Sequence, residues 1–374
     1  MNLIFTCGGT AGHINPAIAV ANRMKERYPD ANILFIGAVG KMEEKLVPQA
    51  GYELKALPAS GLSRKLNFSG IKQNFYAVKC VLGAVGACKK IFKEFKPDAV
   101  IGTGGYASFP ALYAAQTMGI PTCVHEANAV PGVTTKLAAN KADRTLVTFD
   151  DSVQYYKNPG KVEVVGMPVR QEFLFADKEA ARKELGVTDK PIVVSAFGSL
   201  GAKVMNETVA DMIPLEQADN FPFHHIHATG SFGKEWMPQR VKDNGVDWEN
   251  CADLDIREYI YNMPTVMAAA DVIISRAGAA TCNEIGACGT PCILIPSPNV
   301  TNNHQEKNAR VLEAGGGAVV VLEKDCTPEA MYALVKELLA DENRRKEMSE
   351  NLHKLVRLDS TERICDIVEE ITNR

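Results

Sequence analysis

Short apolar runs alternate with longer amphipathic stretches through the first half of the chain. We interpret the apolar runs as strands at 3–6, 33–37, 54–57, 99–102, 122–125, 144–147 and 162–165. Apolar residues at helical spacing lie between them, near 17–28, 71–95 and 110–118. Strands separated by helices predict a parallel sheet with right-handed crossovers.

The same rhythm restarts after residues 166–168. A polar helix at 178–185 precedes strands at 192–196, 224–228, 272–275, 292–295 and 318–322, and three helices at 328–339, 343–355 and 361–372 close the chain. We therefore predict an α/β protein with two Rossmann-like domains, 1–166 and 167–357, and a cleft between them. The last helix, about 358–374, should pack back on the first domain.

The composition narrows the class of protein. A length of 374 residues suits two domains of ordinary size, and a net charge of -4 gives no global signal for nucleic-acid binding. The chain starts with a short apolar strand, not with the basic start and apolar region of a signal peptide. No apolar run approaches the ~20 residues of a membrane-spanning helix. We expect a cytoplasmic protein.

The ten cysteines are scattered without metal-type pairs, which is typical of small buried side chains in a reducing compartment. His224, His225 and His227 share one apolar stretch. Alternation places His225 and His227 on one face of a strand and His224 on the other. A plain strand and a zinc site both fit this pattern, and further zinc ligands are not evident.

Three glycine loops, 7–13, 102–106 and 198–202, follow strands and open helices. Glycine lets backbone N–H groups approach an anion, and a helix N-terminus adds a favourable dipole. Any single loop is equally well explained as a tight turn, but three of them favour ligand binding in a crevice. The first loop departs from G-x-G-x-x-G, and no GxxxxGK[ST] occurs, so common dinucleotide and P-loop motifs are excluded.

Several motifs in order resemble the MurG family of glycosyltransferases. They are GGTAGHINP at 8–16, GTGGYAS at 102–108, HEAN at 125–128, GMPVR at 166–170 and SRAGA at 275–279, followed by Glu284 and Gln305. The resemblance covers residues 8 to about 318 and implies the GT-B fold. Phe197, Leu200 and Ala127 depart from residues that are common in the family, which are glycine, glutamine and glutamine.

The resemblance implies inverting transfer of N-acetylglucosamine from UDP-N-acetylglucosamine to the muramyl C4 hydroxyl of lipid I, which forms lipid II in peptidoglycan synthesis. It implies no cofactor. The implied donor-binding residues are Thr10, Gly12, Asn128, Arg170, Ser199, Ile260, Met263, Glu284 and Gln305. The implied acceptor and diphosphate loops contain Gly9, Gly104, Gly105 and Tyr106.

The transfer needs a base for the attacking hydroxyl. His13 is our first candidate, because imidazole titrates near neutral pH and this residue lies on the first loop. Binding of the acceptor diphosphate, or capping of the following helix, explains His13 equally well. Glu126 and Asn128 are alternatives for the base and for acceptor orientation, and His125 fits a structural role.

Asp253-Leu254-Asp255 matches a D-x-D metal signature of another glycosyltransferase fold. Such a triplet arises by chance in an acid-rich chain, and it lies outside the glycine loops. We predict no metal, because helix dipoles, backbone donors and Arg170 can neutralise a diphosphate.

Residues 64–96 contain eight basic residues and one acidic residue, Glu94, interleaved with apolar residues at helical spacing. A core-facing stripe with a solvated lysine face explains part of this pattern. Basic clusters beside apolar groups also bind anionic lipid surfaces. We predict peripheral binding at the cytoplasmic face of the membrane through Lys72, Phe75, Lys79, Leu82, Lys89 and Lys90.

Three rival functions remain. A UDP-sugar-dependent diacylglycerol glycosyltransferase is disfavoured by the 102–108 and 125–128 motifs, and a UDP-N-acetylglucosamine epimerase would not need the basic stretch. A non-catalytic sugar-nucleotide binding protein is disfavoured by His13, Glu126 and Glu284. The expected partners are UDP-N-acetylglucosamine, lipid I, anionic lipids and proteins of cell-wall assembly, and not nucleic acid.

Overall fold

The computed structural model describes residues 1–59, 68–174, 177–187, 189–300 and 303–373, without the side chains of 68–78. The chain forms two compact units. The first unit contains Met1–Arg170 and Arg357–Arg374, and the second contains Gln171–Val356. The boundary therefore lies at Arg170, whereas the sequence pattern placed it at residue 166.

The first unit is built on a seven-stranded parallel sheet with the strand order β3-β2-β1-β4-β5-β6-β7. Its strands are β1 (Asn2–Thr6), β2 (Asn32–Ala38), β3 (Glu53–Leu57), β4 (Ala99–Gly102), β5 (Thr122–Glu126), β6 (Arg144–Val147) and β7 (Val162–Val164). Its helices are α1 (Ala11–Arg27), α2 (Glu43–Gln49), α3 (Phe68–Phe95), α4 (Ser108–Thr117), α5 (Val133–Ala139) and, from the end of the chain, α15 (Ser360–Thr372).

The second unit is built on a six-stranded parallel sheet with the strand order β10-β9-β8-β11-β12-β13. Its strands are β8 (Ile192–Ala196), β9 (His224–Ala228), β10 (Leu254–Arg257), β11 (Val272–Ser275), β12 (Cys292–Leu294) and β13 (Ala318–Val320). Its helices are α6 (Gln171–Leu174), α7 (Lys178–Leu185), α8 (Lys203–Ala218), α9 (Met237–Asp243), α10 (Met263–Ala269), α11 (Ala279–Cys288), α12 (His304–Ala314), α13 (Pro328–Ala340) and α14 (Glu342–Leu355).

The predicted parallel sheets are confirmed, with two differences in detail. Strand β10 was missed, because Asp253 and Asp255 suggested a metal motif in place of a strand. Helix α1 begins at Ala11 and not near residue 17, although Pro16 lies inside it. Proline removes one backbone donor, and the buried face of α1 offsets that loss.

The C-terminal helix α15 packs on the first unit, as the sequence predicted. Its residues Ile364, Val368 and Ile371 are buried in one cluster with Leu3 and Phe5 of β1. At the edge of this contact, the Arg27 guanidinium donates to the carboxylates of Asp366 at 2.7 Å and Glu369 at 2.8 Å. The end of the chain thereby completes the core of the domain in which the chain starts.

A buried polar chain crosses the core of the second unit. Glu216 of α8 accepts from His225 Nδ1 at 2.9 Å, and His225 Nε2 lies 2.7 Å from the Ser195 hydroxyl. The same hydroxyl lies 2.6 Å from His227 Nδ1. His225 and His227 therefore share one face of β9, as alternation predicted. No cluster suited to a metal occurs among the described residues.

Burial lowers the pKa of His227 well below its ordinary value, and His225 adds to that effect. In the unfolded chain the ring titrates near ~6.5, so below that pH the unfolded state takes up a proton that the folded state does not. His227 therefore contributes stability that is complete above this pH and is lost as the pH falls.

We expect the thermal unfolding temperature of the second unit to be lower at pH 5 than at pH 7. The free energy of unfolding should fall with a slope of up to ~1.4 kcal/mol per pH unit for each proton. His227→Gln should make this slope shallower, measured by calorimetry across pH. His353→Gln changes an exposed histidine on α14 and is the matched control. Equal slopes in wild type and His227→Gln would contradict the assignment.

Candidate active site

The first two glycine loops interlock at the carboxyl ends of β1 and β4, which are neighbours in the sheet. A Cβ on Gly105 would lie 2.2 Å from the carbonyl oxygen of Gly8. The Thr103 hydroxyl donates to the carbonyl of His13 at 2.6 Å, and the Thr103 amide donates to the carbonyl of Thr6 at 3.1 Å. Only glycine permits this approach at Gly105, whose φ is +83°.

His13 lies in the first turn of α1 and is held by the second loop. Its Nδ1 lies 3.1 Å from the carbonyl oxygen of Thr103. Because a carbonyl only accepts, Nδ1 carries the hydrogen, and the lone pair of the neutral ring lies on Nε2. A Cβ on Gly104 would lie 2.7 Å from the ring. The ring is thereby fixed in the tautomer that a general base requires.

Glu126, the alternative candidate for the base, lies in a different environment from His13. It is buried, and its Oε1 accepts from the backbone amide of Asn128 at 3.0 Å and from its side-chain amide at 3.1 Å. Its Oε2 accepts from the amide of Gly132 at 3.0 Å. These bonds hold the segment after β5 and orient Asn128. Both oxygens accept hydrogen bonds from nearby amides, which gives Glu126 a structural role in this segment.

His125 is a structural residue in this geometry. Its Nε2 donates to the carbonyl of Gly166 at 2.8 Å, which ties β5 to the 166–168 turn. Burial lowers the pKa of the His125 ring. A neutral ring fits this environment, because it carries a hydrogen on Nε2 for the bond to the Gly166 carbonyl.

The remaining first-unit residues implied by the resemblance surround these loops. Thr10 precedes α1, Gly12 lies in its first turn, and the Tyr106 ring lies 3.8 Å from the position of a Cβ on Gly9. Arg170 is the last residue of the first segment of this unit. Of the residues that the resemblance implies for donor binding, Thr10, Gly12, Asn128 and Arg170 belong to the first unit.

The third glycine loop in the second unit repeats the close approach of the first two. A Cβ on Gly201 would lie 2.1 Å from the carbonyl oxygen of Thr229, which follows β9. Ser199 lies in this loop and its carbonyl accepts from the Ser231 amide at 3.3 Å. The loop therefore ends β8 and opens α8 with a fixed backbone beside the end of β9.

The segment between β11 and α11 is held from several sides. The Ser275 hydroxyl donates to the carbonyl of Ala196 at 2.8 Å, and Arg276 pairs with the Glu323 carboxylate. Gly278 precedes α11, and Glu284 lies half-buried on the second turn of that helix. The N-terminus of α11 is thereby placed at the carboxyl edge of the sheet.

Three other residues that are implied to bind the UDP-sugar donor differ in the groups that they can present to it. The Ile260 side chain is 1% exposed, so only its backbone can meet a nucleobase. Met263 opens α10 and is half-buried. The Gln305 Oε1 accepts from the Ser297 amide at 2.9 Å, so its amide nitrogen is the group with which it would contact a sugar.

The two acids of the D-x-D triplet are paired with cations. Asp253 lies 2.6 Å from Lys190 Nζ, and Asp255 accepts from Arg257 Nε at 2.9 Å. These contacts give the carboxylates a structural role at the β10 edge of the sheet.

Helix α3 shows one buried face and one exposed face in its described part. Ala84, Cys88 and Phe92 are buried. On the other side, Lys79 and Lys90 are exposed, Leu82 is 69% exposed and Lys89 is half-buried. The side chains of Lys72 and Phe75 lie outside the described residues. In the described part of the chain, no helix is long and apolar enough to cross a membrane.

Further exposed apolar residues, which were not predicted from the sequence, occur elsewhere in the first unit. Val133 is 65% and Leu137 is 53% exposed on α5, and Tyr113 of α4 is 42% exposed. Leu137 and Lys136 also line a cavity of about 240 Å³.

Glu43 is a site residue that sequence reasoning missed. Its buried carboxylate accepts from the amide of Gly9 in the first loop at 3.2 Å. A glutamate at the start of a helix has an ordinary explanation in the helix dipole, so spacing alone carried no signal.

Two Rossmann-like units with glycine loops at the ends of their strands have the architecture of the GT-B class of protein. The sequence narrows that class. Residues 3–147 match the glycosyltransferase family 28 N-terminal domain, and residues 192–365 match the C-terminal domain of the same family. The chain belongs to glycosyltransferase family 28.

Relatives match this chain over nearly its whole length. One from Acetivibrio thermocellus is 42% identical, over 99% of this chain and 98% of its own. It is named UDP-N-acetylglucosamine–N-acetylmuramyl-(pentapeptide) pyrophosphoryl-undecaprenol N-acetylglucosamine transferase. A relative of the same name from Thermoanaerobacter is 43% identical over 100% of both chains. The crystal structure of Acinetobacter baumannii MurG matches at 25% identity with a TM-score of 0.73, over 99% of both chains. The family resemblance and the GT-B fold are confirmed.

Proposed function

We propose that this protein transfers N-acetylglucosamine from UDP-N-acetylglucosamine to the muramyl C4 hydroxyl of lipid I, with inversion, to form lipid II for peptidoglycan. The full-length similarity to relatives that are named for this transfer carries the proposal. Both domains of the family are present, at residues 3–147 and 192–365.

The acceptor hydroxyl attacks the anomeric carbon of the donor from the face opposite to UDP. The new C–O bond forms as the bond from the anomeric carbon to the diphosphate breaks, and the hydroxyl proton passes to Nε2 of His13. The Thr103 carbonyl supports this step, because it accepts from Nδ1 and stabilises the imidazolium that forms.

The departing diphosphate needs positive partners. We assign this role to second-unit elements: the 198–202 loop, the N-terminus of α8 and the N-terminus of α11, where backbone donors meet the helix dipole. Glu284 on α11 would accept from the ribose hydroxyls. Arg170 would add a fixed positive charge.

The direct test supplies the purified protein with UDP-N-acetylglucosamine and a lipid-linked muramyl-pentapeptide, with the product identified by mass spectrometry. We expect the disaccharide lipid. Turnover should persist in EDTA at saturating substrate, because Asp253 and Asp255 are already paired with cations.

Other products would contradict the proposal. Glycosylated diacylglycerol as the sole product would indicate the lipid glycosyltransferase, and a 2-epimerised UDP-sugar formed without acceptor would indicate the epimerase. Complete loss of turnover in EDTA, restored by manganese or magnesium, would overturn metal independence alone.

Replacing His13 should separate catalysis from binding. If His13 is the base, His13→Ala should lower kcat by ~10²–10⁴-fold and leave the Kd for UDP-N-acetylglucosamine nearly unchanged. The matched control His353→Ala removes an exposed histidine from α14 and should keep wild-type rates. A rise in acceptor KM with unchanged kcat would instead assign His13 to the acceptor diphosphate.

We also propose that the exposed face of α3 binds the membrane that holds the lipid acceptor. Lys79 and Lys90 present positive charge beside the exposed Leu82. Exposed lysines near an anionic surface contribute ~1 kcal/mol each. Lys72, Phe75 and Lys89 belong to the same predicted surface.

Replacing Lys79 and Lys90 with glutamine should weaken binding to anionic vesicles ~30-fold at low salt, because ~1 kcal/mol is lost for each lysine. Turnover on a short, soluble acceptor should be unchanged. Salt should mimic the substitutions, because exposed charges are screened within ~10 Å at 0.1 M. Lys183→Gln/Lys346→Gln, two exposed lysines of the second unit, is the control. Vesicle binding indifferent to both salt and lysines would refute the membrane role.

A further inference from the structure

Glu43 is a fully buried carboxylate beneath the first glycine loop. It is the first residue of α2, and its side chain is 0% exposed. Its Oε1 accepts from the amide of Ala38, the last residue of β2, at 2.8 Å. Its Oε2 accepts from the amide of Gly9 at 3.2 Å. One carboxylate thereby joins the end of β2 to the loop that follows β1.

The surrounding backbone leaves room for this side chain and for little else. A Cβ on Gly37 would lie 2.6 Å from Glu43 Cγ, and a Cβ on Gly8 would lie 2.7 Å from Glu43 Oε1. Burial of a carboxylate is unfavourable unless hydrogen bonds compensate for the lost water. An apolar residue in this space would leave the Ala38 and Gly9 amides without these acceptors, so the carboxylate is explained by the backbone donors that it holds.

The Glu43 carboxylate holds the loop that leads to His13. The Gly9 amide points at the carboxylate, and Gly9 has a φ of +91°. The next residue, Thr10, accepts from the His13 amide at 3.1 Å and so starts α1. Thr103 then fixes the His13 ring from the other side. The base is thus held between two loops, one of which is anchored by Glu43.

We propose that Glu43 is a positioning residue for the glycosyl transfer: its carboxylate fixes the first glycine loop and thereby aims Nε2 of His13 at the acceptor hydroxyl. This inference rests on the proposed function with His13 as the base. It also assigns the Gly9 amide to Glu43, so the first loop contacts an acceptor diphosphate through other groups.

Two substitutions disturb this anchor from different sides. Glu43→Gln keeps the shape of the side chain but presents an NH₂ donor to one of the two backbone donors. Gly37→Ala leaves the carboxylate intact and displaces it by contact with Cγ. The matched control is Glu44→Gln: Glu44 is the next residue of α2, is exposed, and accepts from the Gly40 amide at 3.0 Å, away from the loop.

Both substitutions should lower kcat/KM for the lipid acceptor ten- to a hundredfold, mainly through kcat. The Kd for UDP-N-acetylglucosamine should stay within twofold of wild type, which reports a folded second unit. Amide hydrogen exchange in residues 8–14 should speed up in both variants, and Glu44→Gln should match wild type in every measurement.

A double-mutant cycle with His13→Ala separates positioning from general damage. If Glu43 acts through His13, Glu43→Gln should cost less than threefold in the His13→Ala background. A full, multiplicative loss there would overturn the proposal, as would wild-type kcat/KM in Glu43→Gln. Activity loss without faster exchange in residues 8–14 would overturn it too. Absence of transfer by the wild-type protein would instead refute the proposed function.

Discussion

The structure of the first unit depends on the close approach of two backbones at the ends of neighbouring strands. The carbonyl of Gly8 and the Cα of Gly105 are so close that no side chain fits between them. This contact brings Thr103 within hydrogen-bonding distance of His13 on both its backbone and its ring. A chemically ordinary histidine thereby acquires a fixed tautomer and direction, which is what acid–base chemistry needs from a scaffold.

Buried carboxylates hold the loops around this contact by accepting hydrogen bonds from loop amides. Glu43 accepts from Gly9 below the first loop, and Glu126 accepts from Asn128 and Gly132 after β5. In each case an anion satisfies backbone donors that a tight loop leaves without partners. The role of a glutamate in such a site is therefore indicated better by the number of hydrogen bonds that its oxygens accept than by its distance from the reacting atoms.

Periodicity predicted nearly all of the sheet, because apolar strands buried on both faces are easy to recognise between helices. It missed β10, where Asp255 and Arg257 pair with each other and make a strand look like a polar loop. It also missed Glu43, because the role of this residue comes from its hydrogen bonds to Ala38 at the end of β2 and to Gly9, which lies 34 residues away. The resemblance supplied the site residues, and the geometry adds their contacts: Glu126 accepts from loop amides, and His13 Nδ1 bonds to the Thr103 carbonyl.

In the second unit a side chain also holds the backbone beside a close glycine contact, but there the side chain donates the hydrogen bond instead of accepting it. There Gly201 approaches the Thr229 carbonyl, again at the ends of neighbouring strands. The group beneath that contact is the Asn206 side chain, whose amide donates to the Thr229 carbonyl at 2.6 Å. In the first unit the anchored group is a backbone donor, so the anchor must accept; in the second it is a backbone acceptor, so the anchor must donate. Asn206 therefore brings no negative charge beside the 198–202 loop, which we assign to the donor diphosphate and where a negative charge would repel the ligand. An aspartate at position 206 would lose the hydrogen bond and add that repulsion, which explains why an amide suits this position.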